Sequence, residues 1–111
     1  MNYLVLIYGQ DWTPEQASQG VLDLTVVKDE LAASGELVSY APLDLPTEGK
    51  VVQIRNGVQV VTDGPFGEAK EQLAGYFMID VAADDRAQQV AGRVSAIVGD
   101  RVELRGAAFP G

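Results

Sequence analysis

GYFMIDV, from Gly75 to Val81, decides how this chain folds. In an extended backbone Tyr76 and Met78 point to one side and Phe77, Ile79 and Val81 to the other, and both sets are apolar. A strand that is apolar on both faces belongs in the interior of a sheet. YLVLIY, from Tyr3 to Tyr8, has the same character: Leu4, Leu6 and Tyr8 alternate with Tyr3, Val5 and Ile7. Two central strands are therefore expected, and the other elements have to be arranged around them.

Thr13-Pro14-Glu15-Gln16 reads as a helix start, with Thr13 as cap, Pro14 at the first helical position and Gln16 closing a capping box. The helix runs to about Ser34 with Val21, Leu24, Val27 or Lys28, and Leu31 as its apolar stripe, and Gly35 stops it. Gly20 sits in its middle at a cost of about 1 kcal/mol relative to alanine. Leu37 to Ala41 is a second strand, ended by Pro42. Lys50–Arg55 and Val58–Thr62 flank Asn56-Gly57, a strong hairpin signal that pairs Arg55 with Val58 and Val52 with Val61. Asp84 or Asp85 is expected to cap a second helix reaching Val98, with Ala87, Val90, Ala91, Val94 and Ile97 at helical spacing. Arg101 to Arg105 is the last strand. This order is the ferredoxin-like βαββαβ plan of an α+β fold with an inserted β-hairpin, and that plan puts residues 3–8 and 75–81 at the centre of the sheet.

Bulk composition narrows the function. A length of 111 residues suits a single domain, 1–111. The net charge of −8 repels phosphate backbones and anionic lipid, so neither nucleic acid nor a membrane surface is an expected partner. There is no cysteine for disulfides, thiolate chemistry or cysteine-type zinc sites. There is no histidine, the commonest acid–base group near neutral pH and the commonest metal ligand. No metal and no cofactor is expected. The first strand is too short for a signal peptide or a membrane span, which makes the cytoplasm the expected location.

Two helices cover only one face of a four-stranded sheet, yet both central strands are apolar on both faces. Burying about five exposed side chains at roughly 1.5–3 kcal/mol each is worth on the order of 10 kcal/mol. A second copy packed sheet on sheet is the simplest cover, giving a homodimeric α/β barrel with a space between the sheets. The rival is the hairpin folding back over the open face.

The chemistry-bearing residues cluster in TDGPFGEAKEQ, Thr62 to Gln72. Asp63, before Gly64-Pro65, is either a turn residue that stabilises the chain reversal or a general base and ligand anchor at the mouth of the inter-sheet space. Glu68, Lys70 and Glu71 are either a solvated charged turn or a loop that closes over a ligand, with Lys70 on an anionic group. Tyr8, Tyr40 and Tyr76 are either packing residues or polar handles of the cavity. Asp80, alone in an apolar strand, needs a cation, for which Arg101 or Arg105 is available. Trp12, just before a helix cap, reads as a lid or staple.

Val61-Thr62-Asp63-Gly64-Pro65-Phe66, followed by Glu68, Lys70, Glu71, Gln72 and Leu73, resembles the signature of the YCII-related (YciI-like) family in its DGPF subgroup. Leu6-Ile7-Tyr8 before Gly9, Gly35–Val38 and Val52–Arg55 extend the resemblance over nearly the whole chain, with departures at Gly67, Ala69 and Ala74. The resemblance implies a ferredoxin-like fold, dimeric barrels and an active-site cleft. Some such relatives use a His–Asp pair on lactone-like or chlorinated rings, a pair this histidine-free chain lacks. The expected function is small-molecule binding by a dimeric barrel, with cofactor-free proton transfer on a small ring or lactone as its enzymatic form. Asp63 would be the catalytic base or anchor. Tyr8, Tyr40, Phe66, Glu68 and Lys70 would complete the ligand contacts. The alternatives are a regulatory protein that binds a partner such as a sigma factor, to which the subgroup is linked, and a non-catalytic relative.

Overall fold

The computed structural model describes residues 1–9, 12–64 and 72–108. The elements in chain order are β1 (Asn2–Tyr8), α1 (Pro14–Ala33), β2 (Leu37–Pro42), a 3-10 turn (Pro46–Glu48), β3 (Lys50–Arg55), β4 (Val58–Asp63), β5 (Leu73–Asp80), α2 (Asp84–Val98) and β6 (Glu103–Gly106). Four strands form one antiparallel sheet in the order β2-β5-β1-β6, so the two doubly apolar strands are its centre. This is an α+β architecture compatible with the ferredoxin-like plan. β3 and β4 form a separate two-stranded ladder, with Arg55 opposite Val58 and Val52 opposite Val61. Its turn places Asn56 at φ 50° and Gly57 at φ 77°, the left-handed pair that a two-residue hairpin loop requires.

α1 begins as its sequence dictates. The Thr13 side chain accepts from the Gln16 N–H, the Gln16 side chain accepts from the Thr13 N–H, and Pro14 opens the first turn. α2 differs from expectation. Its cap is Ala83, in an extended conformation and without a side-chain hydrogen bond, while Asp84 and Asp85 lie in the first turn. There their negative charges complement the positive end of the helix dipole, and Asp84 accepts from the Tyr3 hydroxyl at 3.0 Å.

Register fixes which residues face the helices. Val5 opposes Phe77 and Tyr3 opposes Ile79 on the covered side, while Leu4 opposes Met78 and Leu6 opposes Tyr76 on the other. The core lies between the covered face and the two helices: Val5, Phe77 and Ile79 from the sheet, Val27 and Leu31 from α1, and Val90 and Val94 from α2. Leu4, Leu6, Tyr76 and Met78 stand partly buried on the opposite face. Asp80 meets the Met1 ammonium group at 2.9 Å, whereas Arg105 is engaged by Glu103.

One ion pair ties the helical layer to the sheet. Arg86, in the first turn of α2, donates from Nε and Nη2 to Glu36, just before β2, at 3.0 Å and 2.9 Å. The Arg86 guanidinium, helped by the Ser34 hydroxyl, holds the Glu36 carboxyl below its ordinary value of 4.5. Because the folded-state pKa is depressed, the stabilisation is fully present above that ordinary value and is lost as pH falls through the folded one. The pair is partly exposed, so its worth is about 1 kcal/mol or less. Glu36→Gln is therefore expected to lower the urea midpoint at pH 7 and to converge with wild type in progressively more acidic buffer. A gap that persists unchanged in acid would remove the ionic contribution.

Candidate ligand site

A cleft lies on the helix-covered side, at one end of the sheet. It holds a cavity of about 240 Å³. Ile7 and Gly75 supply its floor from the central strands, Tyr40 and Pro42 come from β2, and Ala17, Val21 and Leu24 come from α1. Leu43 to Pro46 close one side, and Trp12 closes the approach in front of α1.

Trp12 explains the glycine in the middle of α1. A Cβ placed on Gly20 would lie 2.4 Å from Cζ3 and 2.6 Å from Cη2 of the indole. The ring therefore rests directly on the helix backbone, and the helical cost of Gly20 is the condition for that contact.

The walls are almost wholly apolar, with a few polar groups fixed among them. The Tyr40 ring stacks on Phe77, with centroids 4.4 Å apart and 27° between the planes. Its hydroxyl is buried and has no hydrogen-bond partner among the described residues. Burial pushes its pKa up, which keeps the phenol neutral and a hydrogen-bond donor. Tyr8 borders the same cleft, but its hydroxyl donates to Glu103 at 2.9 Å. Asp44 at the rim accepts from the Leu45 N–H at 2.8 Å.

The sequence-derived site residues are distributed unequally. Tyr8 and Tyr40 come together at the cleft. Tyr40 faces the helix side, because it pairs with Phe77, and so does not project into a space between two sheets. Tyr76 does stand on the open face, where its hydroxyl meets Ser39 at 3.0 Å. Asp63 ends β4, outside the cleft, with its side chain 85% exposed and bound to Lys50 Nζ at 2.6 Å. Phe66, Glu68 and Lys70 lie outside the described residues. The cleft walls Ala17, Leu24, Pro42 and Gly75 were missed, since apolar residues from separate segments carry no chemical signature. The one available signal was a helix-interior glycine eight residues after a tryptophan.

Among the described residues there is no group of three or more acidic, histidine or cysteine side chains that could hold a metal ion. Among these residues, too, no helix is long and apolar enough to cross a membrane.

Fold and cleft together define a two-layer α+β protein with a four-stranded sheet, two helices on one side of it, a separate two-stranded ladder and an apolar pocket at the end of the main sheet. A model of the YCII-related domain matches residues 1–104, and the chain belongs to that family. It is also similar to an uncharacterized protein of Rhizobium meliloti (strain 1021), with 34% identity over 100 residues, covering 86% of this chain and 81% of the relative.

Proposed function

We propose that this protein is a homodimeric α+β barrel that binds a small, neutral ring compound, such as a lactone or a substituted aromatic, in the cleft beneath Trp12. The observation that carries this reading is the cavity of about 240 Å³ with its nearly unbroken apolar lining. An apolar cavity of about 150 Å³ stays dry and takes up benzene, so this one has room for a single ring with substituents. The neutral Tyr40 phenol and the net charge of −8 both favour an uncharged ligand over an anion. The homodimer is supported by the open sheet face, where Leu4, Leu6, Tyr76 and Met78 form an apolar band with no helix over it. The Val61–Phe66 block supports placement in the DGPF subgroup.

A second location for the ligand is the Asp63 turn, favoured by the adjacent carboxylate and ammonium of Asp63 and Lys50. In its catalytic form Asp63 is the base for proton transfer on the ring, and the Lys50 contact and high exposure weigh toward a structural role instead.

One titration separates the two. The chain has a single tryptophan, Trp12, which borders the cleft, so its emission reports occupancy directly. Titration with a panel of neutral lactones and phenols is expected to change Trp12 emission saturably. Val21→Phe, at the cleft wall, should weaken binding by about tenfold or more by filling the space, while Asp63→Asn leaves it unchanged. The opposite pattern moves the site to the turn. A panel without any saturable response removes the ligand-binding reading.

A further inference from the structure

Among the described residues, the β3–β4 hairpin meets its own protomer mainly at its base, where Val51 and Val52 line a shallow groove with Leu43 to Pro46. Among the described residues, β3 and β4 pair only with each other. Val52, Ile54, Val58 and Val61 are between 49% and 66% exposed. Directly paired residues share a face, which puts Val52, Ile54 and Val61 on one side of the ribbon. A two-stranded hairpin is marginal by itself in water, and one this apolar needs a surface to rest on.

The charge pattern says what kind of surface. Lys50 and Arg55 against Asp63 leave the hairpin, residues 50–63, at +1, so the rest of the chain carries −9 of the net −8. Arg55 sits beside the turn, exposed and without a partner among the described residues. An apolar ribbon with a free guanidinium at its tip fits an acidic globular surface, and the body of this same chain is one.

Area points the same way. A stable interface takes about 800 Å² from each partner. The open sheet face alone offers a narrow band of four large side chains, all already partly buried. The exposed Val52, Ile54 and Val61 of the hairpin add apolar area to that band.

We propose that the β3–β4 hairpin is a docking arm for a second copy of this chain, laid with its Val52–Ile54–Val61 face on the other protomer, while Arg55, on the opposite face beside the turn, adds its positive charge at the rim of the contact with that acidic protomer. The proposal rests on the homodimer of the preceding reading and adds the element that secures it.

Sedimentation equilibrium of the full chain tests it. Wild type is expected to be dimeric at micromolar concentration. Val52→Thr/Ile54→Thr keeps strand propensity, removes apolar area and should raise the dimer Kd by about tenfold or more. Arg55→Glu should raise it severalfold in low salt, with the difference from wild type fading in about 1 M salt. A dimeric wild type with both variants unchanged overturns the arm and leaves the sheet-face dimer intact. A monomeric wild type overturns both. Should the double variant misfold, Ile54→Cys supplies the only thiol in the chain. Labelled with a photo-crosslinker, it is expected to give a covalent dimer, and an exclusively intramolecular product overturns the arm.

Discussion

Phe77→Ala is expected to lower the stability of the folded chain by about 3–5 kcal/mol, measured as a shift in urea midpoint at fixed protein concentration. Phe77 lies on the central strand β5, has no exposed surface and is the largest fully buried side chain. Removing its ring takes away the transfer free energy of the buried surface and leaves a void that a sheet pinned on both sides by β1 and β2 cannot close. It also removes the surface on which Tyr40 stacks. At roughly 0.05–0.15 kcal/mol per residue a chain of this length holds about 6–17 kcal/mol in all, so the loss is a large fraction of the whole. The same change should loosen the cleft, since Tyr40 would be free to turn into the space. A loss below about 1 kcal/mol would mean that the core is organised around other residues.

The second large effect depends on its background. Gly20→Ala should improve the helix by roughly 1 kcal/mol on propensity alone. In wild type it should instead destabilise by about 1–3 kcal/mol, because the added methyl would sit 2.4 Å from the Trp12 ring and one of the two must yield. The ring is the part able to move, so its emission should shift toward that of solvated indole, and ligand response should fall with it. In a Trp12→Ala background the obstacle is gone and the sign should reverse, with Gly20→Ala now stabilising. This inversion across a double-mutant cycle measures the contact itself. Gly20→Ala that is stabilising in both backgrounds would mean that the indole does not rest on α1 in solution.

Much of the architecture could be read from local rules. Thr13-Pro14-Glu15-Gln16 carries every group its capping box needs, and no distant contact is required to place it. Residues 3–8 and 75–81 declared themselves central because both of their faces are apolar. That same symmetry hid which face meets the helices. Leu4, Leu6 and Met78 are as apolar as Val5, Ile7 and Phe77, and a one-residue difference in where the strand hands over to its connection exchanges the two sets. Asp84 and Asp85 both resemble caps, yet the cap is Ala83, and the Asp84 carboxylate is taken up by Tyr3, a partner from β1 that no local rule reveals.

The site was less legible for a different reason. The charged stretch after Thr62 is rich in reactive groups, but Asp63 is spent on Lys50 in solvent. The cleft is made of apolar residues from segments far apart in the chain, each indistinguishable from ordinary core until the fold brings them together. Tyr40 shows the limit well. Its position on a strand was plain, and its direction depended on a register shift between Leu37 and Ser39 in the pairing with β5.

The strand margins are protected unevenly. The main sheet ends in β6, which is short and charged, and in β2, which has an irregular register and finishes at Pro42. Such borders are poor templates for recruiting further strands. The hairpin is the reverse: two regular six-residue strands, rich in valine and isoleucine, that pair with no other strand among the described residues. Lys50 and Arg55 bracket the VVQI run of β3 and act as gatekeepers against fibre-like stacking. Neutralising both at once is therefore expected to raise the tendency to aggregate, read as an increase in light scattering of the concentrated chain.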